Sequence, residues 1–281
     1  MKTIKIAGVP EHFNLPWHLC IENGEFEDAG IDLEWTDVPE GTGKLCQMLR
    51  DGETDMAVIL TEGIIKDIAA GNTSKIMQVY VESPLIWGIH VAAGSPYKSM
   101  ADLKNGKVAI SRLGSGSHLM AIVNAKKEGW DTNNLHFEIV NTLDGAIEAL
   151  TNGQADYFMW ERFMTKPIVD KGIFRRIADC PTPWPCFVIA VRKEALQRDR
   201  DAIGTVLDII NQTTEEFADI PSIDRMLSER YGQKVEDIQE WLDLTQWSQR
   251  KLDKKTFEKV QDQLVELKII DKKTTFEIAT G

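Results

Sequence analysis

Two glycine-rich turns, GTG at 41–43 and GSGS at 114–117, each stand after an apolar run and before a helical pattern. Such turns aim backbone N–H groups and the positive end of a helix at one anionic or strongly polar group, and the Thr42, Ser115 and Ser117 hydroxyls add donors beside Gly43 and Gly116. The chemistry that fits is recognition of a carboxylate, sulfonate or phosphate. The plain alternative is an N-cap that satisfies the helix's own orphan donors. GTGK at 41–44 is not a nucleotide phosphate loop, because Val38 occupies the first glycine position and Leu45 the Ser/Thr position that would hold magnesium.

A second group sits where two other apolar runs end, with Thr61 and Glu62 in LTEG and Trp160 and Glu161 in MWERF. Paired acidic residues there could hold an amine or a protonated ring nitrogen, or each could cap the helix that follows it. Trp87 and Trp184 lie in Pro-containing segments, and Phe13 follows the first apolar run, so flat walls for a planar or apolar ligand body are available. His12 in VPEHF and His118 after GSGS could donate to a ligand or titrate near neutrality. Five scattered histidines and four cysteines without CxxC spacing make a poor case for a metal. No GxSxG, HExxH or Ser/His/Asp order stands out, so no catalytic residue is assigned.

Apolar runs and turn residues predict the elements that must position these groups. Strands are expected near 4–9, 31–38, 56–60, 76–81, 87–93, 107–112, 136–140, 155–160 and 186–192. Helices are expected near 14–23, 43–51, 62–70, 116–128, 144–152 and 161–171, an order that implies parallel strands with crossover helices. From about 193 the chain reads as helical, with Pro221 opening a new helix and amphipathic stretches at 235–246 and 254–268.

An internal echo divides the chain. Leu49, Gly52, Asp55 and Gly71 recur in the same spacing as Leu150, Gly153, Asp156 and Gly172, and LRDGETDMAVIL is repeated as LTNGQADYFMWE. Two similar α/β lobes follow, with crossings at 82–88 and 180–188. Lobe I would comprise 1–84 plus 186–281 with the helical tail, and lobe II would be the inserted 88–183. In open α/β sheets ligands bind beyond the carboxyl ends of strands, which places the expected site there.

At 281 residues, two lobes are the ordinary expectation. With 43% hydrophobic and 27% charged residues the composition is that of a compact globular protein, and a net charge of −12 disfavours nucleic acid and anionic lipid as partners. No apolar stretch is long enough to span a bilayer. Cys180 and Cys186 bracket PTPWP, and the expectation is thiols in a reducing compartment, a bridge between them being the alternative. The chain as written reads as cytoplasmic, or as periplasmic if an export leader has been removed.

These residues resemble a family. GEFEDAGI at 24–31, GTG at 41–43, LRDGETD at 49–55 and ISRLGSGSH at 110–118 are similar to the type 2 periplasmic substrate-binding proteins, in their nitrate/sulfonate/taurine and thiamine-pyrimidine-precursor branch. VPEHF, LTEG, SPLIWG, SRLGSGSHLMA and WERFMTKP look closer to a leaderless binding-protein-like subgroup found also in fungi. The resemblance implies two α/β lobes, two hinge strands and a cleft that closes on a small polar, anionic or zwitterionic molecule. It implies ligand contacts from His12, Phe13, Thr42, Gly43, Thr61, Glu62, Trp87, Ser115 to His118, Trp160 and Glu161. Trp184 joins them from its crossing. An ABC permease is the partner for a transport role, with a monomer expected and no cofactor. The pyrimidine synthases of the branch carry CCCFC and a lysine near a histidine; this chain has neither, which argues against that activity. The alternatives are an enzyme on the same scaffold acting on a thiamine- or menaquinone-pathway-like molecule, with His12 or His118 beside Glu62 as acid and base, and a ligand-sensing module acting through a protein partner.

Overall fold

The computed structural model describes residues 1–280. In chain order it runs β1 (Lys2–Gly8), α1 (Leu15–Glu22), α2 (Glu25–Asp28), β2 (Ile31–Asp37), α3 (Thr42–Asp51), β3 (Met56–Leu60), α4 (Thr61–Ala69) and β4 (Lys75–Val81). There follow β5 (Ile86–Ala92), β6 (Lys107–Ile110), α5 (Gly116–Lys127), β7 (His136–Ile139), α6 (Leu143–Thr151), β8 (Tyr157–Glu161), α7 (Lys166–Asp170) and β9 (Phe174–Pro181). The last part is β10 (Phe187–Val191), α8 (Lys193–Glu216), α9 (Ile223–Tyr231), α10 (Val235–Leu244), α11 (Lys254–Glu266) and α12 (Phe276–Ala279). The α/β class read from the sequence is observed, with helices surrounding two mixed sheets and a helical C-terminal tail.

The chain divides into two compact units, Met1–Ser83 together with everything from Trp184 onward, and Pro84–Pro183. Unit 1 holds a five-stranded sheet in the order β2-β1-β3-β10-β4, and unit 2 one in the order β7-β6-β8-β5-β9. The two orders are the same topology. In each, two strands flank the first on parallel ladders (Lys2↔Ile31 and Ile6↔Met56; Lys107↔His136 and Val108↔Tyr157). In each, the fourth position is an antiparallel strand that enters after a crossing (Phe187↔Leu60; Trp87↔Glu161). Val58, Ile59, Val188 and Ile189 are fully buried in the centre of the first sheet, and Val108, Phe158 and Met159 in the centre of the second, as expected for strands covered on both faces.

The internal repeat is architectural. The Asp55 carboxylate accepts the Lys5 backbone N–H at 3.1 Å, and the Asp156 carboxylate accepts that of Lys107 at 2.7 Å. The backbone completes each clamp, with Asp55 N donating to Lys5 O and Asp156 N to Lys107 O. Each aspartate thus locks the start of its third strand to the first strand of its sheet. Gly52 precedes the first clamp at φ +77°, a left-handed backbone conformation that favours glycine. The other oxygen of Asp156 accepts the Tyr97 hydroxyl at 2.6 Å. Asp156→Ala therefore strands a backbone donor and a hydroxyl, and a loss of about 2–3 kcal/mol is expected in denaturant unfolding, with Asp156→Asn less affected.

Two elements differ from the sequence reading. The strand β9 was not anticipated: its FRRIADCP run places Arg175, Arg176 and Asp179 on an edge strand, and charge on an edge hides the alternation of a strand. The helix expected over 161–171 is confined to Lys166–Asp170, because Glu161 still belongs to β8 and its side chain closes the following turn.

Candidate functional site

In unit 1, β1 and β3 run parallel and β10 antiparallel, so the residues after Gly8, those after Leu60 and those before Phe187 reach one edge of the sheet. Glu62 is only 2% exposed there, in the first turn of α4. Its Oε2 accepts the Trp184 indole N–H at 2.7 Å, while its buried Oε1 has no hydrogen-bond partner. Burial pushes the carboxyl up to about 7, and the helix N–H and Trp184 offset this only in part. A Glu at a strand tip and a Trp on a crossing, read separately from the sequence, are one hydrogen-bonded pair.

The neighbouring Thr61 turns inward: its backbone N–H and its hydroxyl both donate to Cys186 O, at 3.1 and 3.3 Å. The GTG turn is adjacent, since a Cβ on Gly63 would lie 2.1 Å from Thr42 Cγ2. Glycine at 63 thus lets the first turns of α3 and α4 touch. Gly41 takes φ +76°, Thr42 is the first helical residue with its methyl toward α4, and Gly43 is exposed.

The loop after β1 carries the aromatic part. His12 is fully buried and stacks on Trp241 with ring centroids 4.2 Å apart, while Phe13 meets its edge at 5.1 Å. Burial pushes the His12 imidazole down to about 3. The ring is neutral at physiological pH, which corrects the expectation of titration near neutrality. Phe13 packs on Phe187 at 5.2 Å and its carbonyl accepts the Tyr80 hydroxyl at 2.9 Å. Trp241 is a buried packing residue of the helical tail.

Two residues of this loop escaped the sequence reading. Glu11 has its carboxyl pushed up to about 7 by burial. Asn14 is fully buried, donates from Nδ2 to Val9 O at 2.8 Å, and keeps Oδ1 without a partner. The available signal was a carboxylate and an amide placed directly after a strand, in a segment otherwise flanked by apolar residues.

In unit 2 the corresponding edge gathers the ends of β6 and β8 with the start of β5. Ser115 caps α5, its Oγ accepting the His118 N–H at 3.3 Å. Ser117 Oγ accepts the Ser111 N–H at 2.9 Å and lies 3.1 Å from Ser115 Oγ. The hydroxyls of GSGS thus serve their own turn, and what the helix start at Gly116 has for a guest is backbone N–H and dipole. His118 accepts the Gly114 N–H on Nδ1 at 3.0 Å and sets its edge on Phe137 at 4.7 Å.

Trp87 and Glu161 are paired in register, and Trp160 meets Trp87 edge-on at 6.3 Å while stacking on Phe158 at 5.4 Å. Trp87 is buried with its indole N–H lacking a partner. Glu161 Oε2 accepts the Met164 N–H at 2.6 Å, so this carboxylate caps the turn after its strand, the alternative left open for it. All four cysteines are buried thiols. Among the described residues no three His, Cys, Asp or Glu side chains converge as metal ligands, and no helix is long and apolar enough to cross a membrane.

A family model described as Ca3427-like PBP matches residues 87–180. No curated protein sequence matches the chain. The Candida albicans CA3427 gene product, which defines a family with the generic periplasmic binding protein fold, superposes with a TM-score of 0.90 at 27% identity, over 99% of this chain and 93% of that one. The alkanesulfonate-binding protein SsuA from Xanthomonas axonopodis pv. citri, bound to MOPS, gives 0.84 at 16% identity over 100% and 98% of the two chains. The periplasmic aliphatic sulphonate binding protein SsuA from Escherichia coli gives 0.75 at 18% over 100% and 92%. The sulfonate binders share the fold at these identities. With the duplicated sheet topology, the near-complete superposition on CA3427 and the family match within unit 2, the chain has the type 2 periplasmic binding protein fold and is similar to the Ca3427-like PBP family.

Proposed function

We propose that this protein binds one small polar molecule, anionic or zwitterionic, between the strand tips of its two units and closes on it, without making or breaking a bond. The observation that carries the reading is Glu62, a carboxyl 2% exposed at a strand tip with one oxygen held by Trp184 and the other without a donor. A buried acceptor left unmade costs about 1–3 kcal/mol, so it is retained where a guest completes it. The start of α5 in unit 2 is the anion end of the same design, and Trp87 and Trp160 are walls for the body of the guest. Closure follows if the guest touches both units only in the closed state, because a ligand shifts an equilibrium by its differential affinity alone.

The sulfonate binders that share the fold support an anionic group as part of the guest, and a role as the solute-binding component of an ABC-type uptake system, or as a relative acting without one. The acid–base alternative is weakened at His12, since an imidazole held near 3 is a poor base at neutral pH. Native mass spectrometry of protein purified from its own cells should reveal a co-purified small molecule. X-ray scattering of loaded and stripped protein should then show a smaller radius of gyration when loaded. An unchanged radius with a tightly held compound would sink the closure reading.

A further inference from the structure

We infer that unit 1 selects a guest carrying a primary ammonium group, a point donor that Glu62 Oε1 accepts, and discriminates against forked cations such as guanidinium. The inference rests on the binding role proposed above and adds the chemical class of the guest's cationic end. A carboxylate with both oxygens open receives a guanidinium as two parallel hydrogen bonds. Glu62 offers that fork at a disadvantage. Trp184 donates to Oε2 at 2.7 Å from within the same unit, so a guanidinium would have to share this oxygen with the indole N–H. Oε1 is the oxygen left without any donor, and it is buried. A single oxygen suits the compact ammonium, whereas the planar five-donor fork would leave buried N–H groups unmatched.

The surroundings agree in sign. The other unfilled acceptor of this edge is Asn14 Oδ1, on a fully buried side chain after the adjacent strand β1. Glu11, in the same loop, adds a second carboxyl. Lys44, in the first turn of the adjacent α3, is paired with Glu53 at 3.1 Å. An ammonium entering here meets acceptors.

The test uses four probes built on one propyl chain: propanesulfonate, aminopropanesulfonate, guanidinopropanesulfonate and propylammonium. They are titrated calorimetrically into the full-length protein at mildly alkaline pH, where the Glu62 carboxyl is ionised. Aminopropanesulfonate is expected to bind at least about tenfold more tightly than either other sulfonate, the range of one charge-assisted hydrogen bond. Glu62→Gln should erase the advantage over propanesulfonate. Trp184→Phe, which releases Oε2, should narrow the gap to the guanidino probe, and circular dichroism of both variants shows that they fold. Equal affinity of the wild type for propanesulfonate and aminopropanesulfonate overturns the inference, as does guanidino binding as tight as amino binding. Binding of propylammonium with no sulfonate binding would leave the ammonium subsite standing and remove the anion end of the proposed function. Failure of all four at millimolar concentration removes both.

Discussion

Trp241→Ala is expected to destabilise unit 1 by about 3–5 kcal/mol, the range for deleting a buried indole, and to lower the denaturant midpoint without a change of fold class. Trp241 is 1% exposed and touches three rings: His12 at 4.2 Å, Phe13 at 5.1 Å and Trp247 at 5.6 Å. Each aromatic contact contributes about 0.5–1.5 kcal/mol beyond the area it buries. The truncation breaks no hydrogen bond, because the Trp241 N–H has no partner, so the loss is one of packing. It also removes the lid on His12. With water admitted beside the imidazole, the cause of its depressed pKa is gone, and the ring should titrate closer to the usual histidine value in proton NMR. Trp241→Phe keeps a face on His12 and should recover most of the stability. A cost for the alanine variant below about 1 kcal/mol would show that the tail does not hold the loop after β1.

That coupling also marks the limit of what the sequence makes legible. Short Val- and Ile-rich runs between glycine turns, with helical patterns among them, specify an α/β order by periodicity alone, and the strand tips follow from the general rule for such sheets. The repeated Leu-x-x-Gly-x-x-Asp turn is readable as a duplication, but not as a clamp, since the partners Lys5 and Lys107 lie on other strands and use backbone atoms that carry no signature. β9 is hidden because Arg175, Arg176 and Asp179 interrupt the apolar residues of this edge strand, of which only Phe174 and Cys180 are buried.

Within the candidate site, residue type pointed to Glu62 and Trp184, while their pairing depends on the meeting of β3 with β10 across the whole inserted unit. Hydroxyls misled for the opposite reason. Ser117 and Thr61 have backbone partners close enough to satisfy them, Ser111 N and Cys186 O, and so are absorbed by the fold. Glu161 is absorbed in the same way by Met164 N. Polar residues at strand tips are therefore candidates of unequal weight, and Glu62, whose carboxylate keeps an unmade bond, is the one that chemistry favours.

The stability of the protein is expected to peak in mildly acidic solution and to fall on both sides for different residues. On the acid side the principal groups are His12, held down to about 3, and His90, held down to about 4 by burial, both from 6.5. A base with a lowered folded-state pKa binds fewer protons than the unfolded chain, so its contribution is complete above 6.5 and is lost as pH falls toward the folded value. At about 1.4 kcal/mol per pH unit, His12 alone removes about 3–5 kcal/mol, reduced by the cation–π attraction its charged ring would gain from Trp241. On the alkaline side Glu62, raised from 4.5 to about 7, keeps its proton longer in the fold than out of it. Stability is therefore lost as pH rises from 4.5 to about 7 and does not fall further on this account above it, a loss of up to about 3 kcal/mol. Glu11 acts in the same direction. Urea unfolding across the pH range separates the two limbs through variants: His12→Phe, which keeps a ring against Trp241, should flatten the acid limb, and Glu62→Gln the alkaline one. A Glu62→Gln protein with the same alkaline loss as the wild type would mean that this carboxyl is ionised in the fold at ordinary cost, and with that the case for an unfilled acceptor waiting on a cation would fail.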